Sequence, residues 1–188
     1  YDLLVCVRDG RDFLERIHPD SDKSGAAMRA APIGFLPAIE DVIKYATLQA
    51  QVTHNTPGGI SAAVAAALMS HYFMYKVGEK KELRRFLESY VPGNWTAWSG
   101  EVGAQGMMSV RAALTAILES DSLSSILHRC ISFGGDVDTV AAIAMGAASC
   151  SSEIGQDLPP QLRDTLENGQ FGREYLLQLD KQLMEHFQ

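Results

Sequence analysis

The chain has 188 residues, of which 46% are hydrophobic and 21% are charged, and this size and balance predict a single domain over residues 1–188 with a sizeable apolar core. Its formal net charge of −7 argues against a nucleic-acid partner, because nucleic-acid binders concentrate Lys and Arg on the face that follows the phosphates. The longest apolar stretches, such as Ile60 to Met69, are too short and too rich in alanine for a membrane span of about 20 residues.

The predicted secondary structure is almost entirely helical, because apolar residues recur at helical spacing and no run of β-branched and aromatic residues alternates with polar ones. From Pro37 to His54 the apolar residues step by three and four, which predicts an amphipathic helix. Ser61 to Tyr75 is apolar around most of its circumference, so we expect this helix to be central. The other expected helices are Lys80 to Tyr90, Ser109 to Leu118, Leu123 to Cys130, Val140 to Ala148 and two short segments after Pro159-Pro160. The sequence therefore predicts an all-α fold, a compact multi-helix bundle.

Three widely spaced cysteines, Cys6, Cys130 and Cys150, form no C-x-x-C pair and no cysteine–histidine spacing typical of zinc or redox sites. We interpret them as buried thiols in a reducing compartment. The apolar start of the chain, Tyr1 to Val7, lacks the charged leader and cleavage pattern of a signal peptide. These features predict a cytoplasmic protein.

The most informative segment is residues 134–139 (GGDVDT), because it places two carboxylates and a hydroxyl at the start of an otherwise apolar helix. With Asp136 near the N-cap, Thr139 lies three positions later on the same side of the first turn, while Asp138 points elsewhere. These oxygens could serve two neighbouring hard cations, and oxygen-only ligands favour magnesium, calcium or manganese over zinc. The alternative is a plain helix start, with Asp136 as the N-cap and Asp138 and Thr139 as first-turn residues.

Three segments together carry a family resemblance. GGDVDT and the small-residue helix after it resemble the C-terminal metal motif of the ADP-ribosylglycohydrolase family. Residues 24–34 (SGAAMRAAPIG) are similar to the family's N-G-A-A-M-R-x-A-P-I-G segment, which lines the ADP-ribose pocket, and Thr53-His54 is similar to its T-H motif near the bound ribose. The resemblance runs from about Asp20 to Pro160. It implies an all-α, magnesium-dependent hydrolase that removes ADP-ribose from modified targets.

The resemblance also implies roles for individual residues. Asp136, Asp138 and Thr139 would hold metal, two Mg²⁺ ions in the complete family site, with Mn²⁺ or Ca²⁺ as alternatives. The residues that would contact ADP-ribose are Ser24, Gly25, Ala26, Met28, His54, Gly103 and Gly135. The implied partner is ADP-ribose or an ADP-ribosylated protein.

Structural interpretations remain open for several of these positions. His54 at a helix end could instead be a C-terminal cap that interacts with the helix dipole, and Arg29 could form a structural ion pair. Trp95 and Trp98 could stack on an adenine, although we expect at least one of them to be buried. Lys23-Ser24 stands where the family usually has Gly-Asn, and Lys23 could meet a phosphate.

The family's earlier motifs have no counterpart before Asp20. They are a G-D-x-x-G-x-x-x-E type segment with an acidic residue and a T-D-D-T segment with three more metal ligands, so no catalytic acid is assigned. Either an upstream segment is missing from this chain, or the chain is a naturally shortened homologue that no longer hydrolyses.

The alternative function is a catalytically inactive protein of the same fold with a binding or structural role, since some relatives of the family are lens crystallins. The intact GGDVDT segment argues against it, because a purely structural protein has no physical reason to keep it. Without the family's N-terminal helices, apolar faces such as those of Ser61 to Tyr75 should be exposed, which predicts a homo-oligomer or an aggregating chain.

Overall fold

The structure is a computed structural model that describes residues 2–186, except for the side chain of residue 186. Its α-helices are, in chain order, α1 (Asp2–Cys6), α2 (Gly10–Arg16), α3 (Gly25–Met28), α4 (Ile39–Gln51), α5 (Pro57–Met74), α6 (Leu83–Tyr90), α7 (Gly106–Leu118), α8 (Leu123–Ser132), α9 (Val137–Ala148), α10 (Pro160–Asp164) and α11 (Arg173–His186). Short 3-10 helices at Ala31–Phe35 and Lys80–Glu82 precede α4 and α6. Residues 2–186 form no strand beyond isolated bridges, so the all-α prediction is confirmed. None of the helices in this range is long and apolar enough to cross a membrane.

Two compact units divide the chain, Tyr1–Gln156 and Asp157–Gln188. The first contains α1 to α9, and the second contains α10 and α11. The buried hydrophobic residues run from Ala26 to Ile154 and so lie within the first unit. Whether these two units form the single domain predicted over residues 1–188 is not tested by this division, so the single domain stays a prediction.

Helix α5 forms the centre of the first unit. It begins after Thr56, whose hydroxyl accepts a hydrogen bond from the backbone N–H of Gly59 at 3.0 Å, and Pro57 occupies the first turn, where its missing N–H costs nothing. Every residue from Ala62 to Phe73 is buried. The elements that pack on α5 are α3, α4, α6, α7, α9 and the 3-10 helix at Ala31–Phe35. The prediction of a central helix is confirmed.

The expectation that α5 would expose apolar faces is wrong. The helices of this same chain cover it, and from Ala62 onward only its last residue, Met74, and Tyr75 after it are exposed. Alanines make up much of α5, and their small side chains let the neighbouring helices approach closely enough to close the core. Because α5 is covered, it gives no support to the prediction of self-association.

Two backbones approach closely in this core at Gly34, in the 3-10 helix before α4. A Cβ atom at this position would lie 2.5 Å from the carbonyl oxygen of Ala67 and 2.6 Å from the backbone nitrogen of His71, both in α5. Only glycine permits such contact between two backbones. The buried His71 side chain also holds this segment, because its Nδ1 lies 3.0 Å from the carbonyl oxygen of Leu36.

The cysteines do not share one environment. Cys130 is buried in α8, as predicted, but Cys6 is exposed on α1 and Cys150 is only partly buried. The prediction of three buried thiols is therefore wrong for Cys6, because α1 buries none of its residues.

Candidate functional site

Three isolated β-bridges join four loop segments that carry the predicted site residues. They pair Asp20 with His54, Lys23 with Gln105, and Val102 with Gly135. The same junction is tightened by the backbone N–H of Gly106, which donates to the carbonyl oxygen of Asp22 at 2.9 Å. These pairings explain how residues more than a hundred positions apart in sequence come into contact.

Side-chain oxygens of Ser24, Asp136 and Thr139 form a cluster at the N-terminal end of α9. The Ser24 hydroxyl donates to Oδ2 of Asp136 at 2.9 Å, and the Thr139 hydroxyl donates to Oδ1 at 2.9 Å. The two hydroxyl oxygens lie 3.4 Å apart. Ser24 and Thr139 are buried while Asp136 is half-buried, so the Asp136 carboxylate lies between these two buried residues and the protein surface.

Asp136 is the N-cap residue of α9, yet its side chain accepts no hydrogen bond from the helix backbone. An aspartate that served only as a cap would direct its carboxylate at the free N–H groups of the first turn. Here both carboxylate oxygens face hydroxyls instead. The plain helix-cap interpretation therefore does not describe how this carboxylate is used.

Asp138 lies apart from this oxygen cluster. It is exposed in the first turn of α9, and within the described part of the chain its carboxylate has no recorded hydrogen bond or ion pair. The structure thus brings Asp136 and Thr139 together and directs Asp138 elsewhere, the arrangement expected for residues two and three positions along a helix turn.

The donor chemistry fits a hard cation only in part. A carboxylate with two hydroxyl oxygens matches the preference of Mg²⁺, Ca²⁺ and Mn²⁺ for oxygen ligands. However, residues 2–186 contain no group of three or more His, Cys, Asp or Glu side chains that could hold a metal ion. Of the three expected ligands, Asp136 and Thr139 lie together, and Asp138 lies apart from them.

Two glycines shape the loop that leads into α9. Gly134 and Gly135 have φ of 76° and 77°, a region that favours glycine. A Cβ atom at Gly135 would collide with the carbonyl oxygen of Val102, whereas the space beside Gly134 is open to 3.9 Å. The backbone of Val102 forms hydrogen bonds on both sides of Gly135. Its N–H donates to the carbonyl oxygen of Gly134 at 3.1 Å, and its carbonyl oxygen accepts from the N–H of Asp136 at 2.9 Å. Gly103 follows Val102 in this loop, and a Cβ atom there would lie 3.3 Å from the side chain of Met108.

The predicted ADP-ribose loop, Ser24 to Met28, includes the short helix α3, with Ser24 at its N-cap, and its residues lie in different environments. Ser24 faces Asp136, as described above, and Met28 is 44% exposed. Ala26 is fully buried, and its carbonyl oxygen accepts a hydrogen bond from the Gln49 side chain at 3.0 Å. Gly25 lies against the ring of His54, since a Cβ atom there would be 3.3 Å from Cε1.

His54 is buried just after the end of α4. Its Nδ1 lies 2.6 Å from the hydroxyl oxygen of Thr53. A histidine that acts as a C-terminal cap would instead bind the free carbonyl groups at the helix end. Removal of the ring from water lowers the pKa of His54, the charge of Arg29 lowers it further, and Asp22 partly opposes both. Burial and the charge of Arg29 therefore favour the neutral form of the ring.

Arg29 forms no ion pair within the part of the chain that the structure describes, so the alternative of a structural ion pair is wrong. Its guanidinium donates to neutral oxygens instead, those of Gly25, Gln49 and Thr53. Gln49 was not among the predicted site residues. A sequence signal existed, because Gln49 and Thr53 are four positions apart within the segment predicted as helical, Pro37 to His54, although Thr53 lies just beyond the C-cap of α4.

The two tryptophans differ in burial, and at least one of them is buried, as expected. Trp95 is 3% exposed, with Nε1 donating to the carbonyl oxygen of Val91 at 2.9 Å. Trp98 is partly exposed, and the Arg111 guanidinium lies over its ring at 5.0 Å. Burial is confirmed for Trp95, and a cation already occupies one face of Trp98.

Comparison with known proteins places these features in a family. A family model described as ADP-ribosylglycohydrolase matches residues 6–188. The chain is 27% identical over 141 residues to a Rhodospirillum rubrum protein named ADP-ribosyl-(dinitrogen reductase) glycohydrolase, covering 72% of this chain and 48% of that protein. It is 26% identical over 186 residues to an uncharacterised protein of Archaeoglobus fulgidus, covering 88% of this chain and 59% of that protein. The chain thus spans about half the length of these relatives. Because the family match extends over nearly all of its residues, the chain belongs to the ADP-ribosylglycohydrolase family.

Proposed function

We propose that this chain forms part of a magnesium-dependent hydrolase that cleaves the glycosidic bond between ADP-ribose and a modified protein side chain or small molecule. The observation that carries the proposal is the oxygen cluster of Ser24, Asp136 and Thr139 at the start of α9. Its position in a chain of the ADP-ribosylglycohydrolase family supports a role in that chemistry.

Asp136, Asp138 and Thr139 are the proposed Mg²⁺ ligands. Asp136 and Thr139 share one side of the first turn of α9, and Asp138 faces another direction, which would suit two neighbouring ions. Bound Mg²⁺ would supply positive charge against which ribose hydroxyls and an attacking water can be oriented. The Ser24 hydroxyl, which already donates to Asp136, would keep the carboxylate oriented towards that position.

ADP-ribose is proposed to lie on the Ser24 to Met28 loop, beside His54. The small residues of this loop let a phosphate or a ribose approach the backbone closely. Gly103 and Gly135 would form the adjoining wall, since the bridge between Val102 and Gly135 holds both loops in place. The neutral ring of His54 would offer a hydrogen bond without adding charge.

The substrate class is proposed as ADP-ribosylated protein. The name of the Rhodospirillum rubrum relative says that it acts on ADP-ribosyl-dinitrogen reductase, a modified protein. For the present protein, a location in the cytoplasm is supported by free cysteines at positions 6, 130 and 150. Self-association is supported by Tyr45, Leu48 and Val52, which are exposed together along α4.

The test of the proposed function is an assay for the release of free ADP-ribose from arginine-linked and serine-linked ADP-ribosylated protein. The protein is used in its full natural length, and chromatography quantifies the ADP-ribose that it releases. We expect release that requires Mg²⁺ and falls at least about 100-fold in Asp136→Asn, because a metal ligand is lost. Asp121→Asn is the matched control, since it removes the same charge from an exposed ion pair with Lys80. Release that persists in EDTA, or that both variants retain equally, would contradict the proposal.

A further inference from the structure

Arg29 joins α3 to the C-terminal end of α4 through four hydrogen bonds. It donates to the carbonyl oxygens of Gly25 at 3.1 Å and Gln49 at 3.2 Å, to Oε1 of Gln49 at 2.7 Å, and to Oγ1 of Thr53 at 2.7 Å. A cation is favoured at the end of a helix, where carbonyl groups lack partners. Arg29 and Thr53 are therefore fixed relative to each other.

The Thr53 hydroxyl lies between Arg29 and His54, and one assignment of its proton satisfies both contacts without a further partner. A hydroxyl has one proton and can accept two hydrogen bonds, whereas a guanidinium can only donate. Thr53 must therefore accept from Arg29. If it also accepted from Nδ1 of His54, at 2.6 Å, its own proton would need a third partner, and among residues 2–186 no other contact of this hydroxyl is recorded. The assignment that leaves no proton without a partner among the described residues has Thr53 donating to Nδ1, with the proton of the neutral ring on Nε2.

Nε2 of His54 faces the predicted ADP-ribose loop. A Cβ atom at Gly25 would lie 3.4 Å from it, so glycine at this position leaves the ring edge uncovered. Among the described residues Nε2 has no recorded hydrogen-bond partner, although His54 is only 8% exposed. The ring therefore presents one N–H donor at the surface of the loop, and only a ligand or water can accept from it.

We propose that Arg29 is a positioning residue that, through Thr53, fixes His54 in the Nε2-protonated form, so that the ring donates a hydrogen bond to an oxygen of the bound ligand. The identity of that ligand as ADP-ribose rests on the proposed function. Arg29 itself need not contact the ligand, because its recorded bonds connect α3 and α4. Its effect is on the direction of one hydrogen bond, between Thr53 and His54.

The test is ¹⁵N NMR of the histidine rings of the unliganded chain, which distinguishes the two neutral tautomers directly. We expect the Nε2-protonated form for His54 in the native sequence and in Thr53→Ser, which keeps the hydroxyl. Thr53→Val, which has nearly the same shape without the hydroxyl, should give a mixture of tautomers, and so should Arg29→Met. A native ring protonated at Nδ1, or a tautomer unchanged in Thr53→Val, would overturn the inference.

ADP-ribose binding by the same variants separates this inference from the proposed function. We expect Thr53→Val to weaken binding about tenfold, the effect of one lost hydrogen bond, while Thr53→Ser stays within about twofold. Mg²⁺ binding should be equal in both, which a general loss of structure would not allow. If His54 has the predicted tautomer but ADP-ribose does not bind, the proposed function fails, because the NMR measurement requires no ligand.

Discussion

Asp136 shows how one residue can occupy a capping position without acting as a cap. It stands at the N-cap of α9, but its carboxylate is held by the hydroxyls of Ser24 and Thr139. The sequence predicted the proximity of Asp136 and Thr139, because three positions in a first helical turn bring side chains together. It did not predict the contact with Ser24, which is 112 positions away along the chain, because no local pattern encodes which loop lies over a helix end.

Gly135 permits the contact between the loop before α9 and Val102, so its replacement should disturb the site. Gly135→Ala adds a collision with the Val102 carbonyl to the strain of positive φ, whereas Gly134→Ala adds the strain alone. We expect Gly135→Ala to lower the free energy of unfolding by about 2 kcal/mol or more in addition to the loss caused by Gly134→Ala. Urea-induced unfolding of both variants measures this difference. Equal losses in the two variants would show that the close contact with Val102 is absent.

Thiol reactivity should differ sharply between Cys6 and Cys130. Burial raises the pKa of the Cys130 thiol to about 12, so almost no thiolate forms there at pH 8. Cys6 is exposed and accessible to reagent. Labelling with a maleimide and peptide mass spectrometry should find Cys6 modified in the native protein and Cys130 modified only after denaturation. Native labelling of both at similar rates would contradict the placement of Cys130 in α8.

At the scale of elements, the sequence located the main helices but placed several N-terminal ends too late. α5 begins at Pro57 rather than at Ser61, and α7 begins at Gly106 rather than at Ser109. For α5, Pro57 suits a first turn that Thr56 caps, so the helix begins before its apolar stretch. Gly106 is required at the start of α7 because a Cβ atom would lie 2.8 Å from Cβ of Ala62 on α5. The close approach of another element, which the sequence does not reveal, decides these boundaries.

The packing of the 3-10 helix on α5 gives a prediction at this scale. Gly34→Ala would place a methyl group against the backbone of Ala67 and His71, neither of which can move without distorting α5. We expect a loss of about 2 kcal/mol or more in the free energy of unfolding. Gly10→Ala is the control, because nothing lies within 4 Å of its added Cβ atom. A Gly34→Ala protein as stable as Gly10→Ala would refute the contact.

At the scale of the whole molecule, the family match over residues 6–188 extends across both compact units. The all-α class and the family could be predicted from helical periodicity and from three short motifs. The Arg29–Thr53–His54 network could not, because Arg29 bonds to neutral oxygens and charge pairing in the sequence gave no indication of them. The sequence predicted the central position of α5 but not that the chain's own helices cover its apolar faces, because no local pattern shows which helices pack on it.

The central claim is that the residues around Asp136 form part of a magnesium and ADP-ribose site. The most direct measurement is calorimetric titration of ADP-ribose into the chain, in Mg²⁺ and in EDTA, beside the Asp136→Ala/Asp138→Ala variant and the control Asp121→Ala. We expect binding in Mg²⁺ that weakens at least about tenfold in EDTA and in the double variant, and that the control retains. Absence of ADP-ribose binding, or binding that neither EDTA nor the double variant weakens, would contradict the claim.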